Sequence, residues 1–210
     1  MLGRILESRL TSSPKSVLVR GPRQVGKSTL CRSLKPDLEI QLADEETYLR
    51  HLKDPGLLKR ILAARPGPQL VLLDEVQRIP SLLNTVQAIV DRAPEKRFLL
   101  TGSSARKLKR GRANLLPGRI TLETLSPFMY WELADRWDLD RALRLGTLPE
   151  IYLEDYGVEI LESYATFYLR EEIQAEALTR DLGAYGRFLD LAAAMSGQYI
   201  NYSKLASDAE

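Results

Sequence analysis

Gly21-Pro22-Arg23-Gln24-Val25-Gly26-Lys27-Ser28 sets two glycines five positions apart and follows them with a lysine and a hydroxyl. Glycine tolerates positive φ and lets backbone N–H groups close around a phosphate that a side chain would block. The pattern is a P-loop: Gly21, Pro22, Arg23, Gln24, Val25, Gly26, Lys27, Ser28 and Thr29 would cradle a triphosphate. Lys27 would meet the β and γ phosphates, and the Ser28 hydroxyl would ligate Mg²⁺. A glycine turn followed by a solvated lysine is the plainer alternative.

A second set lies in Leu70-Val71-Leu72-Leu73-Asp74-Glu75, an apolar run that ends in two carboxylates. Asp74 is expected to hold the metal through water, and Glu75 to orient or deprotonate a water attacking the γ-phosphate. Both could instead cap a following helix. Phe98-Leu99-Leu100-Thr101-Gly102-Ser103-Ser104 ends a third run in hydroxyls. Ser103 first and Thr101 second are expected to contact the γ-phosphate or the water, against the alternative of a simple Ser-Gly turn.

Arg106, Lys107, Lys109, Arg110 and Arg112 crowd one stretch, and Arg119 precedes the next apolar run. A solvated surface, phosphate sensing and DNA contact through 106–112 all fit such a cluster. Arg119 is the candidate arginine finger for a neighbour in a homo-oligomer, with Arg112 second. The catalytic set is then Glu75, Lys27, Ser103 and Arg119, and the metal set Ser28 and Asp74. His51 is the single histidine, in a charged stretch, and is expected at the surface; Cys31 is expected to be a small buried apolar residue. Asp44 and Glu45 suit helix capping or the surface better than ligation.

These groups need elements to position them. Short apolar runs at 17–20, 38–43, 70–73, 97–101 and 119–123 predict five strands, alternating with helical spacing at 29–34, 57–64 and 82–90. That order predicts an α/β three-layer sandwich, a central five-stranded parallel sheet covered by helices. An unbroken apolar run such as 70–73 suits a strand buried on both faces. One strand, 38–43, lies between the two motifs in sequence, as in P-loop ATPases with an extra central strand and a glutamate base. No Asn-Lys-x-Asp segment for guanine occurs. From Ser126-Pro127 onward only helical patterns remain, at 156–176 and 187–195, so 1–125 reads as the nucleotide domain and 126–195 as a helical, lid-like region. Residues 196–210 read as the start of a further winged-helix-like unit. Ser203 is placed as the N-cap of a helix with nothing to pack on, so the 210 residues are expected to belong to a longer protein.

A chain of 210 residues, 44% hydrophobic, can bury about 70% of its unfolded surface without staples. Its net charge of +2 selects neither nucleic acid nor membrane. One cysteine excludes an internal disulfide and suits a reducing compartment, hence a cytoplasmic expectation without a membrane span.

With these residues in hand, the chain resembles a family of prokaryotic AAA-type ATPases. The matching stretches are 21–28, Leu-Leu-Asp-Glu-Val-Gln at 72–77, Leu-Thr-Gly-Ser-Ser at 100–104, Leu-Pro-Gly-Arg at 116–119 and Leu-Ser-Pro-Phe at 125–128. Gly146-Thr147-Leu148-Pro149-Glu150 and Tyr168-Leu169-Arg170-Glu171-Glu172-Ile173 extend it less specifically. The resemblance implies an ATP-binding, Mg²⁺-dependent and slow ATPase, followed in the family by a winged-helix-like region and a restriction-endonuclease-like C-terminal domain. Nucleotide would then drive conformational change in that attached domain. An ATP-gated DNA-binding module and a small-molecule kinase are the other classes weighed; the second carboxylate, Glu75, suits water better than an acceptor hydroxyl.

Overall fold

Val71, Leu72 and Leu73 are wholly buried, as are Leu99 and Leu100 on the neighbouring strand, the two-sided burial that a central parallel strand requires. The computed structural model describes residues 2–103, 118–168, 173 and 181–209. It contains β1 (Ser16–Arg20), β2 (Leu38–Gln41), β3 (Gln69–Asp74), β4 (Lys96–Gly102) and β5 (Ile120–Thr124), ordered β2-β3-β4-β1-β5. Every pairing is parallel. Each predicted strand is present, with ends shifted by one or two residues.

Side chains alternate across the sheet and so build two cores. Leu18, Val71, Leu73, Phe98 and Leu100 pack against α4 (Leu57–Ala63) and α5 (Leu82–Val90). Val17, Val19, Leu72 and Leu99 pack on the other face against α1 (Ile5–Ser12) and α2 (Lys27–Ser33). Each buried leucine contributes roughly 2 kcal/mol, which makes the three layers cohere. The short α1 and the charged α3 (Glu45–Lys53) were not predicted. On α3, His51 is buried and not at the surface as expected: it is 5% exposed, with Nδ1 2.9 Å from the Thr47 carbonyl oxygen. The charged neighbours take the solvent side of α3 and leave His51 facing inward. Asp44 caps α3 by accepting the Thr47 N–H at 2.8 Å.

The strand that separates the two motif strands is β4, with β2 at the sheet edge. Adjacency in sequence therefore misplaced the inserted strand, because β2 crosses to the outside before β3 returns. After β5 come α6 (Tyr130–Leu133), α7 (Leu139–Leu145) and α8 (Pro149–Leu153), around a small core of Phe128, Leu133 and Tyr152. By compactness the chain forms two units, Met1–Val158 and Glu159–Glu210, and residues 126–158 pack within the first. Packing explains it: Leu2 and Ala142 join the Phe128 core.

α9 (Gly157–Ser163) runs into a π-helical turn, Tyr164–Tyr168. In the second unit, α10 (Leu182–Ala194) starts at Asp181, whose carboxylate accepts the Ala184 N–H. α11 (Tyr202–Ala209) is capped by Asn201, which accepts the Lys204 N–H at 3.0 Å, and not by Ser203, which lies inside the helix. It also has a neighbour: Arg187 of α10 donates to the Ala209 carbonyl at 3.2 Å. Ser203 and Asn201 are two residues apart, and only the earlier one reaches the N3 amide.

Candidate functional site

All five strands point their carboxyl ends the same way, and in such sheets ligands bind at that edge. β1 ends at Arg20 and passes into the loop at Gly21, where an added Cβ would stand 2.1 Å from the Leu125 carbonyl oxygen. Only glycine lets the loop approach the chain leaving β5 so closely. Gly26 has φ 87°, and α2 starts at Lys27 directly after it. Gln24 also has left-handed backbone, φ 60°. Pro22, Arg23 and Val25 complete the loop, and Thr29 lies in the first turn of α2.

Lys27 is 6% exposed and donates from Nζ to the Gly21 and Pro22 carbonyls at 3.0 and 2.7 Å. Its charge therefore sits inside the loop that it belongs to. Ser28 Oγ donates to Asp74 Oδ1 at 2.6 Å, joining the loop helix to the end of β3 across the intervening β4. Asp74 is 4% exposed and also accepts from Thr101 Oγ1 of β4 at 2.5 Å and from Arg32 at 3.5 Å.

Glu75 follows with φ 61° and ψ 44°, a left-handed conformation that costs a non-glycine residue about 1 kcal/mol or more. Its N–H donates to Thr101 Oγ1 at 2.9 Å, so the buried Thr101 hydroxyl links both acidic residues. Thr101, the second choice for contact with a γ-phosphate, donates its hydroxyl to Asp74 and accepts the Glu75 N–H. Gln77 donates from Nε2 to Glu75 Oε2, and to Ser103 Oγ at 3.2 Å. Ser103 and Glu75 are thus held together, on neighbouring strand ends, by one amide. Gln77 Oε1 is buried without a partner.

Neither Glu75 nor Asp74 caps a helix here: the 3-10 turn Val76–Arg78 has no side-chain cap. Cys31, on α2, is fully buried; burial first, and the Asp74 charge second, push its thiol up to about 12.

Arg119 stands apart from this constellation. It precedes β5, at the amino edge of the sheet, and donates to Asp91 Oδ1 at 2.5 Å, which raises its pKa. Because β5 runs parallel to β1, its start is a strand length away from the loop. Arg106, Lys107, Lys109, Arg110 and Arg112 lie outside the described residues.

Four residues that sequence reasoning gave no role are built into the site: Arg4, Arg32, Gln77 and Glu132. Arg4 donates to the Val25 carbonyl at 2.9 Å, to the Ser126 carbonyl at 2.5 Å and to Glu132 Oε1 at 3.0 Å. Gln77 stood within a quoted motif, and its nearness to Glu75 was the available signal. Arg4 and Glu132 are separated by 128 positions and carried none.

The donor set fits Mg²⁺ with a triphosphate. Ser28 and Asp74 supply hard oxygens at one point, a magnesium ion takes one or two carboxylates and keeps waters, and the Gly21 cradle is one that a Cβ would fill. Among the described residues no helix is long and apolar enough to cross a membrane, and no group of three or more His, Cys, Asp or Glu gathers as a metal cluster.

The sequence model of a family described as AAA domain matches residues 13–134. An uncharacterized protein of Mycobacterium bovis and one of Mycobacterium tuberculosis are each 29% identical over 196 residues. The match takes in 90% of this chain, which spans 43% of the length of those relatives. Among solved structures, the Aeropyrum pernix ORC2 protein in its ADPNP-ADP complexes aligns with TM-score 0.42 and 16% identity, over 99% of this chain and 65% of that one. Its ADP form aligns with TM-score 0.41, at 16% identity, over 98% of this chain and 65% of that one.

Proposed function

We propose that this chain, which belongs to the AAA domain family, binds ATP with Mg²⁺ at Gly21–Thr29 and hydrolyses it slowly. The observation that carries the reading is the 2.6 Å contact between Ser28 and Asp74 beneath a glycine loop holding a buried lysine. A hydroxyl and a carboxylate from separate elements converge where a triphosphate-bound cation would need them.

In this reading Lys27 exchanges its loop carbonyls for β and γ phosphate oxygens. Loop N–H groups hold the phosphates, and Ser28 and Asp74 hold Mg²⁺, which supplies charge neutralisation at the phosphate oxygens. Glu75 orients the attacking water and accepts its proton. Ser103, tied to Glu75 through the Gln77 amide, supplies the hydroxyl that contacts the γ-phosphate. Gln77 donates to the Glu75 carboxylate and fixes its orientation. Arg119 reaches a γ-phosphate only from a second copy.

The relatives are longer than this chain. Nucleotide-driven rearrangement of an attached C-terminal domain is the output we propose for the whole protein. The test is ATP binding and phosphate release by wild type, Lys27→Ala and Glu75→Gln. Lys27→Ala should lose at least tenfold in affinity, about one charge-assisted hydrogen bond. Glu75→Gln should bind ATP and release no phosphate. Turnover by Glu75→Gln at the wild-type rate would remove Glu75 from the chemistry.

A further inference from the structure

Arg4 precedes α1 and is nearly buried: its side chain is 8% exposed and that of its partner Glu132 is 4% exposed. Three polar contacts and one aromatic face occupy it. Nη1 donates to Val25 O at 2.9 Å, Nη2 to Ser126 O at 2.5 Å and Nε to Glu132 Oε1 at 3.0 Å, while the guanidinium lies 4.6 Å from the centre of the Phe128 ring. Glu132 is equally committed. It accepts the Ile5 N–H at 2.9 Å, so satisfying an amide at the start of α1, and the Met129 N–H at 3.0 Å. One ion pair therefore joins three segments: the chain start, the phosphate loop and residues 126–133.

Val25 O belongs to the same peptide unit as the Gly26 N–H, one of the donors in the proposed cradle. A cationic donor on a carbonyl polarises that peptide and strengthens its N–H as a donor. The planar fork of arginine also fixes the peptide's direction relative to Ser126 and Glu132, which a lysine cannot do.

We propose that Arg4 is a positioning residue for the phosphate loop, and that through Ser126 and Glu132 it transmits nucleotide binding at the loop to the 126–133 segment. The inference rests on the nucleotide reading given above and names how that site is regulated. Arg4 lies outside the residues matched to the AAA family, 13–134, so the family does not assign it.

The protein carries its own reporter. Its two tryptophans are Trp131, next to Glu132, and Trp137. Both are partly exposed, at 51% and 38%, and both rings contact Tyr130, at 4.8 and 6.1 Å. Movement of Glu132 would alter their emission.

Tryptophan emission and nucleotide affinity are measured on the full chain, with Mg²⁺ and ATP or ADP, for wild type, Arg4→Lys and Glu132→Gln; affinity is read by calorimetry. In wild type, saturating nucleotide should change the emission. Arg4→Lys should bind about tenfold more weakly and, at saturation, lose the emission change. Glu132→Gln keeps one acceptor oxygen, for the Ile5 amide and Arg4, while its amide nitrogen no longer accepts the Met129 N–H and the charge opposite Arg4 is lost. It should bind more weakly than wild type but more tightly than Arg4→Lys and show a reduced emission change, and it carries the test should Arg4→Lys fail to fold. Wild type that binds nucleotide without an emission change overturns the inference and leaves the ATP reading standing. A full emission change in folded Arg4→Lys overturns it too. Wild type that binds no nucleotide overturns the ATP reading itself, and the inference with it.

Discussion

The two edges of the sheet are made of the same strands and treat buried polar groups differently. At the amino edge most groups are paired by neighbouring backbone or by opposite charge, although Arg97, which donates to the Leu10 carbonyl, leaves its buried Nε without a partner. Lys96 Nζ donates to the Arg65 and Gly67 carbonyls and to Gln69, Ser16 Oγ accepts the Phe98 N–H, and Arg119 meets Asp91. At the carboxyl edge polar groups are tied to one another, and Gln24 Oε1 and Gln77 Oε1 have no partner. Gln24 and Glu75 there are two of four non-glycine residues with positive φ among the described residues; Lys35 merely ends α2, and Ala134 lies beyond the sheet. Left-handed backbone costs a non-glycine residue free energy, and such strain clusters at sites of function. The contrast separates a stabilising edge from a working one.

The largest test is one substitution made at both edges. Gly21→Ala puts a Cβ 2.1 Å from a backbone oxygen, whereas Gly67→Ala meets nothing within 4 Å and has only its φ of 89° against it. Gly21→Ala should cost on the order of 4 kcal/mol and eliminate nucleotide binding, and Gly67→Ala about 1 kcal/mol with binding intact. Urea unfolding and nucleotide titration read both. Equal losses would break the comparison.

Next in size is Thr101→Val, which keeps volume and removes the hydroxyl shared by Asp74 and the Glu75 amide. Leaving those buried groups short should cost about 2 kcal/mol and lower phosphate release more than ATP affinity. Glu75→Gly has the opposite sign in stability. Relief of left-handed strain should raise it by about 1 kcal/mol while phosphate release disappears. A destabilised Glu75→Gly would mean that the φ of 61° is not strained and that this edge stores nothing for function.

How much of this was legible in the sequence follows from range. β3 and β4 could be read because two-sided burial demands unbroken apolar runs, and the loop because phosphate binding demands glycine at fixed spacing. α3 was missed although Asp44 was read as a helix-capping group, because the charged residues that follow hide its apolar spacing, and His51 was misplaced for the same reason. β4 as the inserted strand, the shared Thr101 hydroxyl and the Arg4–Glu132 pair depend on contacts between residues from 26 to 128 positions apart. No periodicity encodes such contacts. The packing of 126–158 onto the first unit was hidden likewise: Leu2 and Tyr152 share one small core, which local composition cannot reveal.

Arg119 gives the smallest and most discriminating effect. Its pair with Asp91 is exposed, 39% and 40% by side chain, and exposed pairs contribute little. Its place at the amino edge keeps it from its own Gly21 loop, so Arg119→Ala should leave nucleotide affinity unchanged in dilute protein. If a neighbour's phosphate is its target, wild-type turnover per chain rises with protein concentration and Arg119→Ala cancels that rise. Phosphate release measured across a hundredfold range of protein concentration distinguishes the cases. A loss of affinity in dilute Arg119→Ala would join the two edges through the sheet and dissolve the distinction between them; a rise lost only at high concentration would show the stabilising edge of one copy serving the working edge of the next.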